Sequence, residues 1–443
     1  MPSSSVDRQE TGPARAALYA WGGPGTIALI RHKYHDPRID AASFLQLYEP
    51  DYLRAARQTL GITDMWVTYS WGFSDETEQS HYRYIVERLP NFDAEGIAAY
   101  AYIQGLNLST RDFRDVDVFC HDSRGHLLAY SRNRALTCPN NPAVRQIILD
   151  RVERASRADF AGVFIDNFLF GLPPFLVRQD YIPFFGCACA HCQRAFKAQF
   201  GYRLPLAEKR GMEQIGDYLR FRAHTMTGLL AELSQVAHAN GKRFGINLYD
   251  PYVYAPELYI GYALDQIAPL LDYYLIENHS LGPRNTVNNT HLLPLLEGAD
   301  KPVFIVSYRN GISYDGVYSQ ATINALWSEA AVLGYAPCLK ATEYVTDGVW
   351  HALDIAQVQP PTIRRGPVFA HTAQPQIPRT SLALERPLIG VISRLYPRVA
   401  HAIFNNRLLA RIVVESPIYA RLVRQRRFVD CSAWLTPPQT GVQ

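Results

Sequence analysis

Short apolar runs alternate with helix-like amphipathic stretches over most of this chain. The runs are typical of parallel strands covered on both faces, and their alternation with helices predicts repeated βα units. A count of eight units ending near residue 350 predicts an α/β fold, a closed (β/α)8 TIM barrel. The predicted strands are Thr26–Ile30, Met65–Tyr69, Gly96–Ile103, Phe160–Ile165, Arg243–Leu248, Asp272–Glu277, Pro302–Val306 and Tyr335–Leu339.

A doubly wound open sheet is the alternative architecture. It is disfavoured because no G-x-G-x-x-G follows the first predicted strand, so nothing indicates dinucleotide binding. The pattern predicts a polar lead-in over residues 1–24, the barrel over 25–355 and a short C-terminal helical extension over 356–443.

The C-terminal extension begins Pro-rich, over residues 357–382, and becomes Arg-rich over 387–427. Apolar residues interleave with the arginines at near-helical spacing, which predicts amphipathic helices. Their partner is an anionic or membrane surface in one interpretation, and solvent or a second copy in a homo-oligomer in the other.

Composition narrows the class of partner. The 443 residues are 48% hydrophobic and 19% charged, so the chain can bury a large core. A formal charge of +3 gives no reason to expect nucleic acid, and the absence of a run of about 18 apolar residues predicts no transmembrane segment. The first residues lack the apolar region of a secretory signal, and seven cysteines suit a reducing, cytoplasmic setting.

A cysteine cluster follows the fourth predicted strand. Cys187, Cys189 and Cys192 have C-x-C-x-x-C spacing just before a helix, which lets thiolates converge on one tetrahedral metal ion. Cys138, which opens the helix leading into the strand, is the best candidate for a fourth ligand. Four thiolates would form a closed structural zinc site, whereas the alternative is a set of buried or free thiols.

The region from Thr137 to Pro205 resembles part of the barrel domain of the family 42 β-galactosidases. The similar residues are Cys138-Pro-Asn-Asn-Pro142, Ile165-Asp-Asn167 and the C-x-C-x-x-C segment with Phe196 and Gly201. The resemblance implies that the four cysteines bind zinc. It breaks at the position of the family's catalytic glutamate, directly after an Asp-Asn pair, where this chain has Phe168.

Aromatic, amide and charged side chains collect where the predicted strands end. The carboxyl ends of barrel strands form active sites, and aromatic faces with hydrogen-bonding groups suit a small carbohydrate or glycoside, although each residue alone fits loop packing equally well. The predicted substrate-binding residues are Trp71, Tyr102, Gln104, Asn107, Asn167, Asn247, Tyr249, Asn278, His279, Tyr308 and Arg309. His32 and His35, after the first predicted strand, are candidates for metal or substrate binding or belong to a solvated loop.

Two carboxyl groups are required for glycoside hydrolysis, one to protonate the leaving oxygen and one to attack or to activate water. Asp166 ends the fourth predicted strand and Glu277 the sixth, a layout that resembles the α-galactosidases and related barrels. We therefore expect Asp166 to be the nucleophile and Glu277 the acid/base, with Glu343 after strand eight as the reserve acid/base. The prediction is a glycoside hydrolase-like enzyme.

Other functions remain open at this stage. Asp166 could bond loop amides, and Glu277 could pair with Arg284 or Arg309, because buried carboxylates are often paired for structural reasons. The alternatives are a non-hydrolytic barrel enzyme of a biosynthetic pathway and an inactive carbohydrate-binding barrel, since a barrel fold does not fix function.

Overall fold

A computed structural model describes most of the first 363 residues of the chain. The described residues are 13–34, 36–122, 125–131, 133–171, 186–204, 212–249, 260–278, 289, 292–307, 318, 320–342, 344–346 and 348–363. The predicted C-terminal extension, apart from its first residues, lies outside them.

Eight parallel strands close into a barrel, as predicted. Each strand pairs with its neighbours in sequence, and β1 pairs with both β2 and β8, which closes the circle. The strands are β1 Ala17–Ala20, β2 Asp64–Ser70, β3 Ala98–Gln104, β4 Gly162–Asp166, β5 Arg243–Tyr249, β6 Tyr274–Asn278, β7 Val303–Ser307 and β8 Ala336–Lys340.

The prediction for the first strand is wrong. The run Thr26–Ile30 lies inside helix α1, Gly23–Lys33, and the strand is the preceding segment Ala17–Ala20, which the sequence had assigned to the lead-in. Pro24 falls in the first turn of α1, where proline is well tolerated, and Ile27, Leu29 and Ile30 are all buried. A helix that is buried on several sides contains a continuous run of apolar residues, and such a run is equally typical of a buried strand.

Helices follow the strands around the outside of the barrel. Several begin or end at recognisable caps: Asn141 accepts a hydrogen bond from the Ala143 amide at the start of helix Pro142–Ser156, and Gly61 adopts a left-handed conformation after helix Pro50–Leu60. The remaining helices are α2 Ala41–Gln46, α3 Pro50–Leu60, α4 Asp75–Val86, α5 Leu89–Ala94, α6 Pro142–Ser156, α7 Ala190–Phe200, α8 Met212–Ala239, α9 Leu264–Ile267, α10 Leu293–Glu297 and α11 Gln320–Leu333, with 3-10 turns at Ala268–Leu270 and Ile355–Gln357.

A small antiparallel sheet is inserted between β3 and α6, at the carboxyl end of the barrel. This insertion sheet consists of Asn107–Ser109, Arg134–Leu136 and Ala129–Ser131, in that order. A second small sheet joins Tyr344–Thr346, Val349–His351 and Arg38–Ile39. The insertion sheet matters for function because it lies beside the end of β4.

Aromatic side chains fill the barrel interior. Residues of alternating position on each strand point inward, so Trp66 on β2 contacts Tyr100 on β3, Tyr273 before β6 and Phe304 on β7, with ring centroids 4.8 to 5.8 Å apart. At the amino end of the strands, buried Asp64 accepts hydrogen bonds from Arg15 and Tyr100. The barrel is therefore a packed core, and in barrels of this kind the active site forms at the other end, where the strands have their carboxyl ends.

The close contact between β4 and β5 gives a test of this packing. A Cβ atom on Gly162 would lie 2.6 Å from the Arg243 carbonyl oxygen and 2.8 Å from Tyr100 Cδ1. We expect Gly162→Ala to lower the free energy of unfolding by about 1–3 kcal/mol, measured by chemical denaturation. Gly228→Ala on the exposed side of α8 is the control. No atom lies within 4 Å of its added Cβ, and it should stabilise the protein by about 0.5–1 kcal/mol. Equal effects at the two positions would contradict the packing described.

Candidate active site at the carboxyl end of the barrel

Asp166 ends β4 and points into the barrel, with only 4% of its surface exposed. Its Oδ2 atom accepts hydrogen bonds from the Tyr102 hydroxyl and from Asn167 Nδ2, the latter at 2.5 Å. Burial raises the pKa of Asp166 to about 6, while the hydrogen bonds from Tyr102 and Asn167 and the charges of Lys340 and Arg134 act in the opposite direction. The carboxylate is therefore mainly ionised at neutral pH although it is buried.

Asn167 is fixed in an unusual conformation next to that carboxylate. Its φ of 53° is left-handed, and asparagine is among the few residue types that tolerate this region. Its Oδ1 accepts hydrogen bonds from the Tyr130 hydroxyl at 2.7 Å and the Tyr249 hydroxyl at 3.0 Å, and its backbone N–H donates to Asn247 Oδ1 at 3.0 Å. The Asn167 side chain thus orients Asp166 and connects β4, β5 and the insertion sheet.

Glu277 is the second buried carboxyl group on the inner face at this end of the barrel. It lies on β6, two residues after the inward-facing Leu275, and pairs in register with Tyr249 of β5. The charges of Asp166 and Glu277 add to burial in raising the pKa values of both the Tyr102 and Tyr249 hydroxyls. These tyrosines consequently stay protonated and act as hydrogen-bond donors, Tyr102 to Asp166 and Tyr249 to Asn167.

The other predicted substrate-binding residues that the structure describes lie at the same end. Trp71 and Tyr102 pack with ring centroids 5.1 Å apart and are both buried, so they form a wall behind Asp166. The amide groups of Gln104, Asn107 and Asn247 are buried here as well. The backbone of Asn278 ends β6. The predictions for His35, His279, Tyr308, Arg309 and Glu343 fall outside the described residues.

Sequence reasoning missed three residues at this end. Lys340, the last residue of β8, is buried with its Nζ 4.6 Å from the Trp21 ring centroid. Alternation from Ala336 and Cys338 places Lys340 on the inner face and could have revealed it. Trp21 was missed because the first strand was misassigned. Arg134 belongs to the insertion sheet, which had no signal in the predicted βα pattern.

The four predicted cysteine ligands converge beside this site. The Sγ atoms of Cys138, Cys187, Cys189 and Cys192 all lie within 4.8 Å of one another, and this buried group could hold a metal ion. Cys138 Sγ is 3.4 Å from Cys192 Sγ and 3.4 Å from Cys189 Sγ. A further buried thiol, that of Cys120, interacts with Cys138 and Cys187, and its distance in sequence from the C-x-C-x-x-C motif gave no hint of this contact.

None of the helices in the described part of the chain is both long enough and apolar enough to cross a membrane.

Comparison by sequence gives no match, either to a model of a known protein family or to a curated protein. Comparison by structure finds similar proteins. The cold-adapted β-galactosidase from Rahnella sp. R3 is similar with a TM-score of 0.52 and 14% identity over 75% of this chain and 50% of that one. The β-galactosidase from Bacillus circulans sp. alkalophilus gives a TM-score of 0.50 and 15% identity, again over 75% and 50%.

A third similar structure is of comparable size. The glycoside hydrolase domain of PgaB (BpsB) from Bordetella bronchiseptica has a TM-score of 0.50 and 11% identity, covering 76% of this chain and 95% of that domain. By contrast, the chain spans about half the length of the β-galactosidase structures it matches. At these identities the likeness shows the fold alone, which is the closed eight-stranded barrel that this chain shares with those structures.

Proposed function

We propose that this protein is a glycoside hydrolase that uses Asp166 and Glu277 on a carbohydrate or glycoside. The observation that supports this most directly is the pair of buried carboxyl groups on the inner face, at the carboxyl ends of β4 and β6. A purely structural carboxylate is usually matched by a direct cationic partner, whereas the side-chain donors to Asp166 are a tyrosine and an asparagine. The similarity of the fold to glycoside hydrolases agrees with the proposal.

The geometry of Asp166 suits a nucleophile. Both side-chain donors bond Oδ2, so we assign Oδ1 to the attack on the anomeric carbon. As the Oδ1–carbon bond forms, the bond to the leaving oxygen breaks, and Glu277 donates its proton to that oxygen. In the second half, Glu277 accepts a proton from water, the water oxygen bonds the anomeric carbon, and the Asp166 carboxylate leaves.

The division of roles is testable with two variants. Asp166→Ala should abolish turnover of all substrates because no nucleophile remains. Glu277→Ala should spare aryl glycosides whose leaving groups need little protonation, and should reduce turnover of alkyl glycosides by about 100-fold or more. Release of the aryl group from α- and β-linked substrates measures both effects. The reverse pattern would exchange the roles, and no turnover of any member of a broad panel by the unmodified protein would refute hydrolase activity.

The pKa of Asp166 gives a second test. Its carboxyl must be ionised to attack, so kcat/KM for an activated aryl glycoside should rise with pH through a midpoint of about 6. Tyr102→Phe removes a donor that stabilises the ionised form, so the midpoint should move up by about 1 unit. Tyr130→Phe is the control, because that hydroxyl bonds Asn167 and not Asp166. An unchanged midpoint in Tyr102→Phe would contradict the assignment.

We further propose that the four cysteines hold a structural zinc ion. Four thiolates form the closed donor set of such sites, and with zinc they would have a net charge of about −2. Arg222 supports this interpretation because its side chain is fully buried on α8. Burial lowers the pKa of Arg222, whereas the charges of Cys120 and Cys192 act to raise it. A buried cation beside the cluster would offset that negative charge.

Metal analysis and thermal melting test the zinc proposal. The purified protein should contain about one zinc per chain, and Cys187→Ser should lower both zinc content and the melting temperature. Cys338→Ser is the control, since this thiol is equally buried but belongs to the barrel interior. A chelator should destabilise the unmodified protein and the control, but have little effect on Cys187→Ser. Protein that is free of zinc yet equally stable would refute the proposal.

A further inference from the structure

A fifth buried thiol lies against the four cysteines that could hold a metal ion. The Cys120 side chain is fully buried and interacts with those of Cys138 and Cys187. Cys120 is not one of the four residues whose Sγ atoms all lie within 4.8 Å of one another. Zinc in a closed thiolate site takes four ligands, so Cys120 is one more thiol than such an ion binds at once.

The backbone directs Cys120 and Cys138 to the same face. Phe119 and Thr137 form an isolated antiparallel bridge. Beside it, the Cys120 amide donates to the Leu136 carbonyl at 2.8 Å. Side chains alternate between the two faces along each strand, so Cys120 and Cys138, which each follow a bridge residue, point to one side. The contact between the two thiols therefore agrees with the register of the bridge.

A second backbone contact brings the C-x-C-x-x-C segment to Cys120. The Ala188 amide donates to the carbonyl of His121, the residue after Cys120, at 2.7 Å. The Cys120 carbonyl accepts from the Leu128 amide at 2.9 Å, so both main-chain polar groups of Cys120 are bonded. The backbone at Cys120 is thus fixed, and its thiol changes place by rotation about the Cα–Cβ bond.

Cys189 is the exposed member of the four candidate ligands. It is half-buried, whereas Cys138, Cys187 and Cys192 are buried. Its Sγ is 3.4 Å from that of Cys138, and it also interacts with Cys187. Oxidants and alkylating reagents reach exposed thiolates first. Chemical damage to a metal site made of these residues should therefore begin at Cys189.

Cys120 and Cys189 have two neighbours in common. Both interact with Cys138 and Cys187, Cys120 from the bridge and Cys189 from the start of α7. Loss of Cys189 would leave three thiolates and one open coordination position, which in zinc sites is filled by water or by another ligand. The Cys120 thiol already contacts two of those three residues, and it would bind as a thiolate with release of one proton.

We propose that Cys120 is a reserve ligand, which takes the place of Cys189 when that side chain is oxidised, alkylated or replaced, so that the metal ion stays bound. The inference rests on the zinc site proposed above and adds a fifth residue to it. The exchange needs no oxidant or reductant, since Cys120 gives its proton to solvent and bonds the ion as the bond from Cys189 breaks. Cys138, two residues after the insertion-sheet strand Arg134–Leu136, keeps its place.

Cobalt(II) in place of zinc counts the bound thiolates, because its sulfur-to-metal charge-transfer absorption grows with their number. The full chain is produced in medium that contains cobalt instead of zinc. The unmodified protein and Cys189→Ser should show the same four-thiolate absorption. Cys189→Ser combined with Cys120→Ala should show three thiolates, an intensity lower by about a quarter. Cys189→Ser combined with Cys338→Ser is the matched control and should keep four, because Cys338 lies in the barrel interior.

Two single variants check the assignment. Cys120→Ala alone should keep four thiolates, which also shows that this variant folds around its metal. Cys187→Ser removes a thiol that both Cys120 and Cys189 contact, so it should fall below four although Cys120 is present. Loss of a thiolate in Cys120→Ala would make Cys120 a resident ligand and overturn the proposal. Four thiolates in Cys187→Ser would overturn it as well.

Alkylation tests the exchange in the zinc protein. N-ethylmaleimide is added in small excess, adducts are located by mass spectrometry, and the transfer of zinc to a coloured chelator is timed. The first adduct should fall on Cys189 in both the unmodified protein and Cys120→Ala. After that adduct, Cys120→Ala should lose zinc about ten-fold or more faster than the unmodified protein. Equal rates of zinc loss, or a first adduct elsewhere in the cluster, would overturn the proposal.

The outcomes separate the reserve ligand from the zinc site. Four thiolates in the unmodified protein that fall to three in Cys189→Ser would retain the zinc site and refute the reserve ligand. Absence of both cobalt and zinc from the unmodified protein would refute both. These results are independent of hydrolase activity, because each measurement reports bound metal and none reports turnover.

Discussion

The backbone pairing between the ends of β3 and β4 determines where the Asp166 carboxylate lies. The Gly105 amide donates to the Asp166 carbonyl at 2.7 Å, and the Leu106 amide donates to the Asn167 carbonyl at 3.0 Å. A Cβ on residue 105 would lie 2.6 Å from the Asp166 carbonyl oxygen, so this close approach requires glycine. The pairing continues the ladder past the end of the strand and holds Asn167 in its left-handed conformation.

The same corner connects the carboxylate to the cysteine cluster. The Thr137 amide donates to the Leu106 carbonyl at 3.0 Å, and Cys138 is the next residue. The Cys138 amide in turn donates to the Val118 carbonyl at 3.0 Å, so the insertion sheet and the thiols share one hydrogen-bonded framework. A cross-link at the cysteines would brace the insertion sheet, which supplies the Tyr130 hydroxyl to Asn167.

Periodicity in the sequence predicted the barrel because its signal is strong and local. Seven of the eight predicted strands overlap observed ones, and Asp166, Glu277 and the four cysteines lie as expected at the end of the barrel or beside it. The catalytic roles of Asp166 and Glu277 stay predictions. The first strand failed because a short apolar run fits a buried helix equally well, and that error also hid Trp21. The insertion sheet is built from short, irregular strands with no clear period, so neither Arg134 nor Cys120 could be placed from the sequence.

Phe168 shows how this barrel differs from the family 42 pattern. The residue is 1% exposed and packs in the hydrophobic layer outside the strands, together with Leu169 and Phe170. A glutamate at position 168 in this conformation would bury a carboxylate among apolar side chains, at a large desolvation cost. Asp166, two residues earlier and on the inner face, has hydroxyl and amide donors instead. The local backbone therefore favours an acid at the strand end itself. Asp166, and not position 168, is the candidate reactive group of this barrel.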